Sequence, residues 1–120
     1  MFELDGQKVV VLVFGMQGCG ACDHYIPRLV SEVSQLHQQG YPFVVGGGSI
    51  PIPSGAIPVF LYDAASPDVD VQKLADRFGV TATPTTIVAC RGPGSFKLEG
   101  SLADNQIHWM LMMADEASKK

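Results

Sequence analysis

Val9-Val10-Val11-Leu12-Val13-Phe14-Gly15-Met16-Gln17-Gly18-Cys19-Gly20-Ala21-Cys22 is an apolar run that leads into two cysteines separated by two residues. The run from Val9 to Phe14 has no polar alternation, which predicts a strand covered on both faces, as in an α/β sheet. Beyond it, Cys22, Tyr25, Ile26, Leu29, Val30, Val33 and Leu36 recur at helical spacing. They predict a helix over 20–39 with one buried stripe, ended by Gly40. Pro27 is expected to kink that helix or to remove one of its hydrogen bonds. The cysteines therefore stand where a strand turns into a helix. There the free N–H groups and the positive end of the helix dipole favour a thiolate, the form that attacks a disulfide. A three-residue offset is about one helical turn, so Cys22 lies on the same side as Cys19 and can close a ring with it.

C-x-x-C also serves zinc, whose structural sites usually take four ligands. The remaining cysteine is Cys90, and the histidines are His24, His37 and His108. They form neither a second C-x-x-C nor an H-x3-H pair. The spacing therefore favours redox chemistry over metal binding, and neither a metal nor an organic cofactor is expected.

Composition sets the class. The chain has 120 residues, 47% hydrophobic and 17% charged, which fits a single domain over 1–120 with one core. Net charge is −4 and Lys119-Lys120 is the one basic run, so nucleic acid is not an expected partner. No apolar stretch approaches the length needed to cross a bilayer, and residues 1–5 lack the basic start and apolar core of a signal peptide. Three cysteines are few, and odd in number, for a disulfide-stapled secreted protein. The expectation is a monomer in the reducing cytoplasm.

Further along, Val71, Leu74, Ala75 and Phe78 mark a second helix. It is ended by Gly79 and started near Ser66-Pro67 or at Asp68 and Asp70. Residues 85–90 read as a strand, and 95–99 as a shorter, more polar strand joined to it through Arg91-Gly92-Pro93-Gly94. A last helix is expected from Ser101, capped through Asp104, burying Ile107, Met110, Leu111 and Ala114. The stretch 40–56 is ambiguous. Either 43–45 or 57–62 supplies the core strand after the first helix, and the longer apolar run favours 57–62, with Pro58 near its start. The remainder of 40–56 is then an excursion at the pole away from the cysteines. With 43–45 in the core instead, Ile50, Ile52 and Ile57 would wall a groove near them. Gly46-Gly47-Gly48-Ser49 lacks the Lys-Ser/Thr of a phosphate loop.

These residues together resemble the thioredoxin family. The anchors are the strand before Cys19, Cys19-x-x-Cys22, Pro27 five residues later, and Phe78-Gly79-Val80-Thr81-Ala82-Thr83-Pro84-Thr85. The tail from Gly100-Ser101-Leu102 into an amphipathic helix is similar too. The resemblance implies the thioredoxin fold, a mixed sheet of four or five strands flanked by helices. It implies a cis Thr83-Pro84 loop facing the dithiol, with Cys19 attacking and Cys22 resolving. Gly18, Thr83 and Pro84 would then contact substrate, with Thr83 pairing its backbone. The implied activity is a protein-disulfide reductase and electron carrier, acting on disulfide-containing proteins and re-reduced by a thioredoxin-reductase-like donor. The chain departs from the family where tryptophan precedes the first cysteine (Gly18), where a buried acid precedes it by six residues (Val13), and where proline stands between the cysteines (Ala21). Without that acid, Asp23, His24 or water takes the proton of the second cysteine. The competing readings are a glutaredoxin-like reductase, whose Pro-Tyr and basic glutathione pocket are missing, and a thioredoxin-like scaffold or redox sensor.

The remaining residues carry plainer expectations. Cys90 reads as a small packing residue, and His37 and His108 as surface histidines without a chemical partner. Met110, Met112 and Met113 read as core fillers, and Trp109 as partly exposed.

Overall fold

The computed structural model describes residues 8–46, 52–91 and 94–119. β1 (Val9–Gly15) is buried along its whole length. Successive side chains of a strand point to opposite faces, so β1 feeds two cores. Val9, Val11 and Val13 pack with Tyr25, Leu29, Val33 and Leu36 of α1 (Gly20–Gln38) and with Ile107, Met110 and Leu111 of α3 (Asp104–Ser118). Val10, Leu12 and Phe14 pack with Leu74 and Ala75 of α2 (Val69–Arg77). One continuous apolar run is thus explained by helices on both faces of the sheet.

The sheet has five strands in the order β2-β3-β1-β4-β5. β3 (Ile57–Asp63) runs parallel to β1, and β2 (Phe43–Val45) runs parallel to β3 at the edge. β4 (Thr85–Cys90) is antiparallel to β1, and β5 (Phe96–Glu99) is antiparallel to β4. This is the thioredoxin fold: a mixed sheet flanked by helices.

Both candidate segments, 43–45 and 57–62, are strands, and the favoured one is the core strand. β3 is the inner strand beside β1, as the longer apolar run requires, and β2 takes the edge. Phe43 pairs with Ile57, and Val45 with Val59. β3 runs parallel to β1 and ends with Asp63 opposite Gly15. The chain after β2 therefore re-enters the sheet at Ala56 and Ile57, at the pole away from the cysteines. Ile57 is buried in the core and Ile52 packs near Phe60, so neither walls a groove at the cysteines. Ile50 lies outside the described residues, as do residues 1–5, Gly47 to Ser49 and the Gly92-Pro93 half of the β4–β5 turn.

Smaller corrections have local causes. α1 runs through Pro27 as one helix; the ring lacks the N–H that would meet the carbonyl of residue 23. Val30 is only half-buried, and the stripe is Cys22, Tyr25, Leu29, Val33 and Leu36. α3 begins at Asp104 with Ala103 as its cap residue, not at Ser101. The Gln106 side chain accepts from the Ala103 N–H at 2.8 Å. The Asp104 carboxylate is engaged instead by Arg28 of α1, at 2.8 Å. Phe78 closes α2 as its cap rather than extending it. Met113 is exposed, unlike the buried Met110. Both outlying histidines have partners. His37 Nδ1–H donates to the Phe43 carbonyl at 2.9 Å, and His108 Nδ1 meets the Glu32 carboxylate at 2.8 Å. Among the described residues, no helix is long and apolar enough to cross a membrane.

Candidate active site

Cys19 is the N-cap of α1. At that position a side-chain acceptor meets one of the unpaired N–H groups of the first turn. The acceptor here is sulfur: the Cys22 N–H donates to Cys19 Sγ at 3.1 Å. The Cys19 carbonyl starts the helical ladder by accepting from Asp23 N–H at 3.1 Å. Cys19 and Cys22 are joined as a disulfide, with Cα atoms 5.2 Å apart. Cys22 is buried at 3% exposure, whereas Cys19 is half-buried.

Gly18 has φ of +78°, a left-handed conformation that L side chains rarely adopt, and open space where its Cβ would be. The backbone before Cys19 therefore calls for glycine where the family carries a bulky ring. Gly15 is constrained differently: a Cβ there would come within 2.7 Å of Ile26 Cδ1. The end of β1 thus lies tight against α1 below the disulfide.

The loop before β4 faces Cys19. Its Thr83–Pro84 bond is cis. Thr83 Oγ1–H points at Cys19 Sγ at 3.6 Å, and the Thr83 carbonyl lies 3.7 Å from the same sulfur. Pro84 is buried, and its carbonyl accepts from Gly100 N–H at 2.8 Å. Thr85 Oγ1–H donates to the Ala82 carbonyl at 2.6 Å, closing the loop on itself.

Two further contacts tie this loop region to α1. Tyr25 and Thr86 share a buried hydroxyl–hydroxyl bond of 2.7 Å, one turn beyond Cys22. Burial pushes the Tyr25 phenol above its ordinary value of 10.0, against opposing pulls from the Thr86 bond and Arg28. Arg28 donates to the Leu102 carbonyl at 2.7 Å, holding the segment that follows Gly100. In the sequence Tyr25 stands only as an apolar stripe residue. Thr86, 61 residues away, carried no local signal of its role.

Asp23 and His24, the proton-relay candidates, are both exposed on the first turn of α1. Val13, at the position of the family's buried acid, is fully buried and pairs with Thr86 across the sheet. The structure therefore brings Cys19, Cys22, Thr83 and Pro84 together with Gly18 alongside, and leaves Asp23 and His24 at the solvent edge. Cys90 is remote, at the other end of β1, paired with Val9 and half-buried against the core. Its N–H donates to Ser95 Oγ at 3.0 Å. Among the described residues, no three His, Cys, Asp or Glu side chains cluster as a metal site.

Two depressions flank this end of the sheet. One of about 440 Å³ opens beside Cys22, between the ends of β1 and β3. A larger one of about 640 Å³ lies beside α2, lined by both signs of charge and no thiol. We take the first as part of the site because it alone borders the disulfide.

A helix-capping disulfide facing a proline loop across a mixed sheet defines the chain as a thioredoxin-fold protein with a dithiol–disulfide site. Solved structures agree on the fold. The chain is similar to the germline-specific thioredoxin Deadhead of Drosophila melanogaster at 18% identity and a TM-score of 0.55, over 88% of this chain and 80% of that one. It is similar to the oxidised mitochondrial thioredoxin 3 of Saccharomyces cerevisiae at 19% identity and a TM-score of 0.59, over 88% and 78%. It is similar to the Malassezia sympodialis thioredoxin at 18% identity and a TM-score of 0.59, over 92% and 77%. No protein-family model matches the chain, and no curated protein matches it by sequence.

Proposed function

We propose that the chain is a thiol–disulfide oxidoreductase that reduces protein disulfides through Cys19 and Cys22. One observation carries this reading: the two sulfurs are unequal. Cys19 is reachable and its sulfur receives an N–H and a hydroxyl, both of which favour a thiolate. Cys22 is buried and positioned to bond with it.

In the reduced protein, the Cys19 thiolate attacks one sulfur of a substrate disulfide. The substrate S–S bond breaks, its other sulfur leaves as a thiolate and takes a proton from solvent, and Cys19 holds a mixed disulfide. Cys22 then gives up its proton and attacks Cys19 Sγ. The second substrate sulfur leaves and is protonated, and the Cys19–Cys22 disulfide remains. Two electrons have passed from the dithiol to the substrate. With Val13 in place of a buried acid, the Cys22 proton leaves through Asp23, His24 or water at the solvent edge. An extended substrate segment lies along Thr83, whose backbone supplies pairing without regard to sequence. A thioredoxin-reductase-like donor returns the electrons in the cytoplasm.

Insulin-disulfide reduction with a dithiol donor tests the activity. The chain should raise the rate well above the donor alone. Cys22→Ser should accumulate a mixed disulfide with substrate and Cys19→Ser should accumulate none. Equal trapping by both variants would discard the assignment of roles. A Cys19–Cys22 couple that oxidises and reduces without turning over insulin would leave a redox sensor or scaffold as the function.

A further inference from the structure

We propose that the groove on the Cys22 side of the disulfide selects substrates that carry a bulky apolar side chain and a cationic side chain next to the cysteine under attack. This rests on the oxidoreductase reading and specifies its substrate class. The groove is a shallow depression of about 440 Å³, open to solvent along its length. Its walls are apolar: Met16 and Leu61 are 42% and 41% exposed, beside Ile26 and Tyr62. Met16 and Leu61 stand open beside Cys22, which is bonded to Cys19, so a side chain of a substrate held on Cys19 can reach them.

The charge on the rim is one-sided. The charged residues that line the groove are Asp23 and Asp63, both acidic and exposed. Asp63 is held in place, since one carboxylate oxygen accepts from Ala65 N–H at 2.9 Å, and its side chain is exposed. Ala64 N–H in turn donates to the Gly15 carbonyl at 2.8 Å, fixing the end of β3 to the end of β1. An acidic rim over apolar walls attracts a cationic segment and repels an anionic one, and the chain's net charge of −4 adds to this. Glutathione disulfide, which is anionic, is therefore a poor fit. The Thr83 side reads substrate backbone, and the groove reads its side chains.

The test uses two synthetic disulfide peptides, identical except for Arg or Glu beside a Leu-Cys pair. Bis(2-hydroxyethyl) disulfide, too small and neutral to use the groove, is the reference. At low ionic strength the Arg peptide should show a kcat/KM about three- to tenfold above the Glu peptide, the scale of one or two exposed charge pairs. The ratio should fall toward one with added salt and in Asp23→Asn/Asp63→Asn. It compares two substrates on one protein, so an effect of Asp23 on proton transfer cancels. Leu61→Ala should lower the rate on both peptides by a larger factor than it lowers the rate on the reference disulfide. Equal rates on the two peptides in the wild-type protein overturn the proposal, as does a ratio that survives loss of both carboxylates. Failure to reduce even the reference disulfide overturns the oxidoreductase reading, and the groove proposal with it. Reduction of the reference with no peptide preference overturns the groove proposal alone.

Discussion

The disulfide has two unlike flanks. On the proline-loop flank, polar groups are bonded across elements: Thr83 to Cys19, Tyr25 to Thr86, Arg28 to Leu102 and Pro84 to Gly100. On the groove flank, Met16, Leu61 and Tyr62 stand around open space with two carboxylates at the rim. The first flank is fixed by directional bonds that join α1 to β4 and to the segment after β5. The second is fixed through its backbone, by the β1–β3 ladder and by the bonds from Ala64 to Gly15 and from Ala65 to Asp63, while its apolar side chains are left open. Exchange between sulfurs needs alignment, which bonded elements supply. Under the proposed function, contact with substrate side chains would fall to the partly exposed apolar surface. Alignment and side-chain contact would then lie on opposite sides of one sulfur pair.

The same truncation on the two sides gives the largest contrast. Leu29 lies on α1, fully buried beneath the dithiol helix, while Leu61 is 41% exposed in the groove. Leu29→Ala should destabilise the fold by about 2–5 kcal/mol, through lost burial and the cavity left behind. Leu61→Ala should change stability by no more than about 0.5 kcal/mol. Urea unfolding of both variants reads the difference. Similar losses at the two sites would mean that the groove wall is structural, and the contrast between the flanks would fail.

Tyr25→Phe is the next test, and it acts on a single bond. Thr86 is only 1% exposed, so removing the phenol oxygen leaves its hydroxyl buried without that partner. The expected cost is about 1–3 kcal/mol. Adding Thr86→Val removes the stranded hydroxyl with little change of shape, and the double variant should regain most of the loss. A double variant as unstable as Tyr25→Phe alone would show that the bond does not hold the flank together.

Much of this fold was legible because apolar residues recur with a period. β1 reads as doubly covered, the α1 and α3 stripes stand at helical spacing, and Cys19, Cys22 and Pro84 carry their own motifs. What escaped depends on partners distant in sequence. Tyr25 sits correctly on the apolar stripe, yet nothing nearby announces that its hydroxyl meets Thr86. Asp104 looked like a cap partner for Ser101, but Arg28 from α1 takes its carboxylate, and the helix starts three residues later. β2 is legible in the sequence as the short candidate strand 43–45, but its place at the sheet edge depends on its pairing with β3. The groove escaped for a related reason. Met16, Leu61 and Asp63 come from the ends of two strands that only the parallel pairing of β1 with β3 brings side by side.

The smallest effect compares the two tyrosines that border these flanks. Burial raises both phenols above 10.0, Tyr25 on the bonded flank and Tyr62 at the groove wall. A raised phenol pKa means that the folded chain keeps its proton while the unfolded chain releases it. Between pH 10 and the folded value the unfolded state therefore binds fewer protons, and stability falls as pH rises; below pH 10 the contribution is fully present. Each such group steepens the alkaline loss by at most about 1.4 kcal/mol per pH unit. Tyr25 is fully buried and Tyr62 half-buried, so replacing Tyr25 by Phe should flatten the slope above pH 10 more than replacing Tyr62 does. The slope is the quantity to read, because Tyr25→Phe also lowers stability at every pH through Thr86. Urea midpoints from pH 9 to 11 for the wild-type protein and the two variants give it. A greater flattening by Tyr62→Phe would mean that the groove wall excludes water better than the bonded flank, and the distinction between a closed side and an open side of the disulfide would have to be reversed.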